Sequence, residues 1–378
     1  MLILGIIGGI IILVILVSVH ELGHAIIARR NGVVVEEFGI GFPPRAWSKK
    51  LKNGVLFSLN WLPLGGFVKL QGEHDAANQK GDYGAASFWQ KTKILFAGVI
   101  TNWLVAIVLL SILAFTGLPK IIPNQFTVAN DTTTISQPVE ITELVKDYPA
   151  QQAGLRVGDQ IVRFAGQEIP TTDALIALTK VNKGKTVDVV YTRGGTESVL
   201  KIKLRNDSIG SILGAGLGQR ELIKATWSAP IVGIVTTAQF TGATLAGLGD
   251  LVGNLFNGIF LQLSPDLATR QAASAHLGAV GKSVAGPIGI LGTIFPQAEQ
   301  AGATQLVFLT AIISLTLAVM NVLPIPALDG GRWFVTALFR IFKKSLTKER
   351  EEKIQGTGFL ILMALVVMVT IGDVVKLF

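Results

Sequence analysis

Four long apolar runs dominate the pattern of the chain. They extend over about Leu2–Ala28, Ile94–Gly117, Gln305–Leu328 and Gly356–Gly372. A bilayer crossing takes roughly 17–25 predominantly apolar residues, so each run predicts a transmembrane helix. No basic segment precedes the first run and no small-residue cleavage site follows it. We therefore interpret it as a retained span rather than a signal peptide.

A fifth apolar stretch, residues 225–264, is open to two interpretations. Asp250 is its only charged residue, so the stretch could cross the membrane. Its second half, however, places large apolar side chains on one helical stripe, with Asn254 and Asn257 off that stripe. We favour an amphipathic helix that lies on the outer leaflet or on the other spans.

Two regions alternate apolar and polar residues as strands do. Residues 53–73 alternate, break at Pro63–Gly66 and resume at Phe67, which predicts a β-hairpin. This hairpin either lies on the cytoplasmic face or dips an edge into the membrane, and the pattern slightly favours the surface. Residues 135–206 combine a helical pattern at Thr172–Val181 with strand patterns at Val187–Thr192 and Val199–Leu204, which predicts a small α/β domain.

Composition narrows the class of protein. Of the 378 residues, 50% are hydrophobic and 15% are charged, and the mean hydropathy is +0.54, as expected for a membrane protein. The net charge of +8 does not indicate nucleic-acid binding, because the basic residues lie in loops beside the apolar runs. The absence of cysteine excludes disulfides, thiol catalysis and cysteine-ligated zinc.

Loop charge predicts the orientation in the membrane. Ten basic residues oppose five acidic ones between the first two runs, and seven oppose four, Asp329 included, between the last two. Both loops are then cytoplasmic by the positive-inside rule. Both chain ends and about Lys120–Gly302 are extracytoplasmic, and a single extra crossing at 225–264 would break this rule.

The first apolar run ends in the candidate chemistry, His20-Glu21-Leu22-Gly23-His24. His20 and His24 are one helical turn apart, so both can bind one metal ion, and Glu21 can take a proton from a water held there. Such a motif often occurs by chance. Ionisable residues in a membrane span are costly unless they are satisfied, which favours a catalytic zinc over a structural histidine pair.

Two histidines need a third protein ligand. Asp329 fits, because it follows the third apolar run, after the helix-breaking Pro324 and Pro326. Taken alone, Asp329 could equally cap a following helix. The predicted orientation, however, brings His20, His24 and Asp329 to one side of the membrane at similar depth. The neutral polar residues Asn102 and Asn321 could hold substrate or simply bond a neighbouring helix.

Three motifs in this order resemble the site-2 protease family (M50). They are HELGH at 20–24, WLPLGGFVKL at 61–70 and NVLPIPALDGGR at 321–332. The segment 149–169 is similar to a PDZ domain of the bacterial regulator-of-sigma-E-protease type. Residues Gly98–Asn102 resemble the family's second-span GPxxN, with Val99 in place of proline. The best-known Gram-negative members have two PDZ domains, whereas this chain has room for one.

The resemblance implies roles for individual residues. His20, His24 and Asp329 are expected to bind Zn²⁺, and Glu21 is expected to be the catalytic base. The hairpin resembles the family's membrane-reentrant β-loop, which pairs with the substrate strand. The candidate substrate-binding residues are Asn102, Asn321, Pro324, Pro326, Gly66, Phe67, Val68, Lys69 and Leu70.

We therefore expect a polytopic α-helical membrane protein with about four transmembrane helices, a membrane-associated β-hairpin and an inserted extracytoplasmic PDZ-like α/β domain. The expected divisions are 1–120 (first two spans and hairpin), 121–210 (PDZ-like domain), 211–300 (amphipathic extracytoplasmic segment) and 301–378 (last two spans).

The expected activity is that of an intramembrane zinc metalloprotease in the bacterial cytoplasmic membrane, with the zinc site toward the cytoplasm. It would cut transmembrane segments of single-span proteins, such as anti-sigma factors, or remnant signal peptides, after an upstream site-1 protease has trimmed them. The PDZ-like domain would then filter substrates by size. The alternative is a non-catalytic, membrane-anchored PDZ scaffold. A transporter would need more spans and paired repeats.

Overall fold

The computed structural model describes residues 2–206 and 211–375. The chain forms two compact units. One unit combines the residues up to Leu113 with those from Pro230 onward, and the other comprises Ala114–Ala229. The second unit therefore begins and ends at different places from the predicted PDZ-like domain, 121–210.

Helices and strands follow one another along the chain as follows. The helices are α1 (Leu2–Arg30), α2 (Phe88–Thr116), α3 (Pro149–Gln152), α4 (Thr172–Val181), α5 (Ala229–Gln262), α6 (Leu267–Ser283), α7 (Pro287–Gly289), α8 (Phe295–Gln300), α9 (Ala303–Val322), α10 (Asp329–Ile341) and α11 (Lys348–Val375), with a π-helical turn at Ile290–Ile294. The strands are β1 (Val35–Lys50), β2 (Leu56–Leu70), β3 (Leu118–Pro119), β4 (Thr133–Ser136), β5 (Val139–Leu144), β6 (Gln160–Phe164), β7 (Gln167–Glu168), β8 (Thr186–Arg193), β9 (Thr196–Lys203), β10 (Ala215–Gly218) and β11 (Glu221–Lys224).

Within the described residues, five helices are long and apolar enough to cross a membrane: α1, α2, α5, α9 and α11. Four of them lie where the sequence predicts spans. The third predicted run, Gln305–Leu328, is too long, because its helix ends at Val322 and α10 begins at Asp329. Proline donates no backbone hydrogen bond and disfavours a helical residue before it, so Pro324 and Pro326 interrupt the run.

The ambiguous stretch 225–264 forms the fifth of these helices. Helix α5 packs on α2 through a hydrogen bond from Trp103 to Thr241, 3.1 Å long, and on α9 through Phe240 and Phe308. Helix α6 then folds back along α5, where His276 and Asn254 are 2.7 Å apart. Stretch 225–264 is thus a helix packed on other spans, and its length and composition also permit a crossing.

The two segments of the predicted hairpin do not pair with each other but flank a third segment, in a sheet that is larger than predicted. Residues 37–40 of β1 pair with 66–69 on one side and with 56–59 on the other, and residues 45–50 pair with 56–60. The two long strands therefore double back into four segments, in the order 45–50, 56–60, 37–40 and 66–69. The sequence interpretation missed β1. Segment 66–69 forms one edge of this sheet, and it lies beside α1, where Gly66 approaches Ser18.

The unit Ala114–Ala229 has a PDZ-like fold. Its main sheet has the order β10-β5-β6-β8-β9, with β7 paired to β6. The sheet and α4 enclose a core that includes Ile141, Ile161, Phe164 and Leu175. Strands β10 and β11 pair with β5 and β4 of this unit. They were predicted to belong to the separate amphipathic segment 211–300, and their pairing with earlier strands could not be foreseen from local pattern.

Candidate metal centre

Three side chains from two distant parts of the chain meet in one place. Among the described residues, His20, His24 and Asp329 form a group that could hold a metal ion. The Nε2 atoms of the two histidines are 3.1 Å apart. Asp329 Oδ2 lies 3.1 Å from His20 Nε2 and 3.3 Å from His24 Nε2. Both histidines are buried.

This triangle has the dimensions of a zinc site. Zinc bonds of about 2.0–2.1 Å hold tetrahedral ligand atoms about 3.3–3.4 Å apart. The three donor atoms are two neutral imidazole nitrogens and one negatively charged carboxylate oxygen. This combination suits a divalent cation. Three protein ligands leave a fourth position for water or substrate, as in catalytic zinc sites. The donor set therefore fits zinc.

Glycines allow α1 and α2 to approach closely at this level. A Cβ atom on Gly98 would lie 2.4 Å from His24 Nε2 and 2.6 Å from His20 Nε2. A Cβ atom on Gly23 would lie 2.8 Å from the carbonyl oxygen of Ala97. An added side chain would clash at both positions, and at Gly98 it would clash with the Nε2 atoms of the two histidines.

The far side of each imidazole ring faces α2. His24 Nδ1 is 2.7 Å from the carbonyl oxygen of Ile94, to which it donates a hydrogen bond. His20 Nδ1 lies 3.4 Å from the side-chain amide of Asn102. With its proton on Nδ1, His24 presents the Nε2 lone pair to the metal position, so the helix backbone selects the tautomer that can bind zinc.

Asp329 reaches the histidines because the chain between α9 and α10 is tightly folded. A Cβ atom on Gly331 would lie 1.9 Å from the Ile325 carbonyl oxygen, so no side chain fits where the loop crosses the start of α10. Ala327 adopts a left-handed backbone conformation, with φ of 78°. Its N–H donates to Gln355 Oε1 over 2.6 Å, which ties the loop to α11.

One turn after Asp329, Arg332 anchors α10. Arg332 Nε is 3.3 Å from Glu351 Oε1 of α11, and its Nη2 donates to the carbonyl oxygen of Glu73. Its guanidinium also lies over the ring of Tyr83, 4.7 Å from the centroid. Burial raises the pKa of the Tyr83 hydroxyl. Removing one partner of such a buried ion pair is costly, so this network fixes where α10 begins.

Glu21 connects the metal position to the sheet edge. Its Oε2 accepts a hydrogen bond from the backbone N–H of Val68 over 3.1 Å. Glu21, His20, Asp329, Asn102 and Asn321 also line a common cavity of about 190 Å³. The carboxylate is thus placed where it can reach both a water molecule in the cavity and a peptide that lies along segment 66–69.

The predicted substrate-binding residues fall into separate groups. Asn102 and Asn321 line the cavity, although Asn321 also donates to its own helix at Leu317 over 3.0 Å. Pro324 is exposed and Pro326 packs against Gly358 of α11. Gly66, Phe67, Val68, Lys69 and Leu70 all lie on the edge segment or at its end.

Within that edge group, the side chains have distinct environments. Phe67 packs over Gly39. Lys69 forms an ion pair with Glu36 over 2.8 Å, which raises the pKa of Lys69. Leu70 is buried.

Sequence reasoning missed several residues that build the site. The sequence interpretation gave Arg332 no role. It also did not recognise the Ile94 carbonyl group as a partner of His24, or that Gly98 must lack a side chain because it faces the two histidines. The spacing of Arg332, three residues after Asp329 and hence on the same helical face, was the available signal. The Ile94 carbonyl group carries no signal in the sequence, because every residue has one.

Comparison with known proteins identifies the family. The family model described as "Peptidase family M50" matches residues 8–365. The chain belongs to peptidase family M50. The predicted resemblance to site-2 proteases is therefore confirmed, and so is the expectation of a polytopic membrane protein.

Bacterial relatives match over nearly their whole length. A provisionally named zinc metalloprotease of Clostridium perfringens is 31% identical and covers 95% of each chain. The regulator of sigma-W protease RasP of Bacillus subtilis is 25% identical over 99% of each chain. The PDZ domain of an SdrC-like protein from Listeria innocua is 29% identical and matches 21% of this chain and 93% of its own, with a TM-score of 0.20.

Membership and these relatives show the activity class. The protein is a zinc metalloprotease, so the predictions of an enzyme and of zinc are confirmed. The alternative of a non-catalytic scaffold is set aside.

Proposed function

We propose that this M50 protein hydrolyses peptide bonds within transmembrane segments, with His20, His24 and Asp329 as its zinc ligands. The triangle of donor atoms, 3.1–3.3 Å apart, is the observation that carries this assignment. Two of these residues lie on α1, an apolar helix long enough to span a bilayer, and Asp329 lies a few residues after α9, another such helix. This position supports substrates that are themselves in the membrane.

Glu21 is the general base in this proposal. Zinc, when bound, supplies a Lewis acid that activates water and polarises the scissile carbonyl group. Glu21 takes the proton of the attacking water and delivers it to the leaving amine. The shared cavity with His20 and Asp329 places its carboxylate within reach of that water.

The edge segment 66–69 holds the substrate as an added strand. A helical substrate presents no free backbone groups, so it must unwind before its peptide bond can reach the zinc. An unpaired sheet edge stabilises an unwound segment through backbone hydrogen bonds. Val68, whose N–H contacts Glu21, brings this edge directly to the catalytic base.

Loop charge and the α5–α6 pair support the proposed orientation. The charge of the basic loops supports an orientation with the zinc site toward the cytoplasm and with both termini and the PDZ-like unit on the outer side of the bacterial inner membrane. Helix α6 folds back along α5. If α5 inserts deeply into the membrane, α6 therefore brings the chain back toward the outer side. The charge rule is then kept whether α5 dips or lies flat.

Substrates are single-span proteins or remnant signal peptides that another protease has trimmed first. The name of the RasP relative, a regulator of sigma-W protease, supports an anti-sigma factor as one such substrate. The PDZ-like unit rejects substrates that retain a bulky outer domain.

Mapping the cleavage position tests this function. Purified protein is reconstituted with a single-span substrate in a trimmed and an untrimmed form, and the products are identified by mass spectrometry. We expect one cut inside the transmembrane segment of the trimmed form only, and none with Asp329→Ala, which also loses zinc. Cuts outside the membrane segment, or equal cleavage of both forms, would contradict the proposal.

A further inference from the structure

The side chain of Asn102 is fully buried beside His20, and its amide nitrogen rather than its amide oxygen faces the His20 ring. Its Nδ2 lies 3.4 Å from His20 Nδ1. Its Oδ1 is also buried and has no hydrogen-bond partner within residues 2–206 and 211–375. An unpaired buried oxygen costs free energy, so the arrangement calls for an explanation.

The ring chemistry of His20 supplies one. His20 Nε2 faces Asp329 and His24 across the metal position, so Nε2 must present a lone pair to bind zinc. The ring proton is then on Nδ1, which makes Nδ1 a donor. As placed, the Nδ2 donor of Asn102 would face this N–H donor.

Rotating the amide by half a turn removes the conflict. The oxygen and nitrogen of an amide side chain have the same shape, and which is which is assigned from the hydrogen-bond network. In the rotated form Oδ1 accepts the proton of His20 Nδ1, so a donor meets an acceptor at the ring, and Nδ2 takes the position that Oδ1 had.

Two further contacts support this arrangement. His24 already donates its Nδ1 proton to the Ile94 carbonyl group, so α2 would supply the acceptor for both zinc-binding rings. Ser314 of α9 donates to the backbone carbonyl oxygen of Asn102 over 2.8 Å, which holds this part of α2 in register with the rings.

We propose that Asn102 is a positioning residue: its Oδ1 accepts the Nδ1 proton of His20 and thereby fixes the tautomer and ring orientation that bind zinc. This inference rests on the proposed zinc site. It differs from the expectation that Asn102 holds substrate, because Asn102 acts through His20.

Zinc affinity of the full-length protein tests the proposal without any substrate. Affinity is measured by competition with a chelator for Asn102→Leu, which has a similar shape but no acceptor, and for Asn102→Asp, which keeps one. Ser111→Ala, on the same helix and bonded within it, is the control. Losing an outer partner of a metal-bound histidine weakens binding by about 10–100-fold, so we expect that loss for Asn102→Leu and near-wild-type affinity for Asn102→Asp.

Cobalt adds a readout of ligand geometry. The visible spectrum of the Co²⁺-loaded protein should change in Asn102→Leu and return in Asn102→Asp. If Asn102→Leu does not fold, Asn102→Ser provides the same comparison, because its short side chain cannot reach Nδ1.

The outcomes separate this inference from the site on which it rests. Wild-type affinity in Asn102→Leu, or an equal loss in the leucine and aspartate variants, would overturn the role of Asn102. If His20→Ala binds zinc as tightly as the wild type, the zinc site itself is wrong.

Discussion

The PDZ-like unit and helix α1 of the other unit bury different kinds of side chain. In the PDZ-like unit, apolar side chains such as Ile141 and Phe164 are buried. In α1, the buried face consists largely of glycine and histidine, including Gly5, Gly9, His20, Gly23 and His24, whereas isoleucines such as Ile3, Ile7 and Ile11 are exposed. Helix α1 therefore places mainly small and polar residues inside and its large apolar residues outside.

This difference determines what each unit tolerates. A cavity in an apolar core costs packing energy, and the loss is spread over its neighbours. Around the metal position of the membrane unit, the buried polar groups are the candidate ligands and the partners that orient them, so a change of one atom there affects chemistry. We therefore expect substitutions in the core of the PDZ-like unit to lower mainly stability, and substitutions around the metal position to lower mainly activity.

The largest effect is expected at Gly98. The added methyl group of Gly98→Ala would overlap both metal-binding nitrogens, 2.4 and 2.6 Å away. Zinc affinity should fall by more than the roughly 100-fold that marks the upper range for supporting residues, and cleavage should be lost. Metal content after purification measures this.

Gly8→Ala is the matched control for that substitution. Gly8 lies in α1, and no atom of another element lies within 4 Å of the position that an added methyl group would take. The zinc content and activity of Gly8→Ala should equal those of the wild type. Full zinc retention by Gly98→Ala would show that the metal lies elsewhere.

A smaller and more selective effect is expected at the sheet edge. Val68→Pro removes the N–H that donates to Glu21 in the substrate-free structure, and its ring disrupts pairing of this edge with a substrate strand. A lost buried hydrogen bond costs about 1–3 kcal/mol, so cleavage of a stable helical substrate should fall by about tenfold or more, with zinc retained. A substrate with helix-breaking residues in its span should be affected less.

Val68→Ala keeps the backbone donor and should cleave both substrates at close to the wild-type rate. The two variants are compared in membranes at matched expression. If Val68→Pro cleaves the stable helix normally, the sheet is only a surface feature and the edge does not hold substrate.

The smallest effect on catalysis is expected from removing most of the PDZ-like unit. The N–H of Gln137 donates to the carbonyl oxygen of Arg220 over 2.8 Å, so deletion of residues 138–219 joins neighbouring ends. The zinc ligands all lie in the other unit, so cleavage of a trimmed substrate should persist. The deletion should also begin to cleave untrimmed substrates, and continued rejection of these would place the size filter elsewhere.

The sequence predicts the site in this protein better than it predicts the sheet. His20 and His24 share a turn of one helix, and Asp329 could be matched to them from its place after the third apolar run together with loop charge. The four-segment sheet was half missed, because residues 37–40 pair on both sides and local alternation carries no information on partners. Asn102 was recognised as polar in a span, but only its distance to His20 indicates what it does.

Helix ends show the same limit. The helix Thr172–Val181 was predicted with its observed bounds, where Thr171 caps the first turn by accepting from Ala174. The end of the third run was wrong by several residues, because apolar residues continue past Val322 while the two prolines stop the helix. Hydrophobicity marks what lies in the membrane, and backbone chemistry decides where a helix ends.

The most direct test of the catalytic assignment compares the wild type with Glu21→Gln on a trimmed single-span substrate, with zinc content measured in the same samples. Glutamine keeps the shape of the side chain but cannot accept the proton of the attacking water. We predict that Glu21→Gln retains zinc at the wild-type level and produces no cleavage. Cleavage at the wild-type rate by Glu21→Gln would contradict the assignment of the catalytic base and the mechanism built on it.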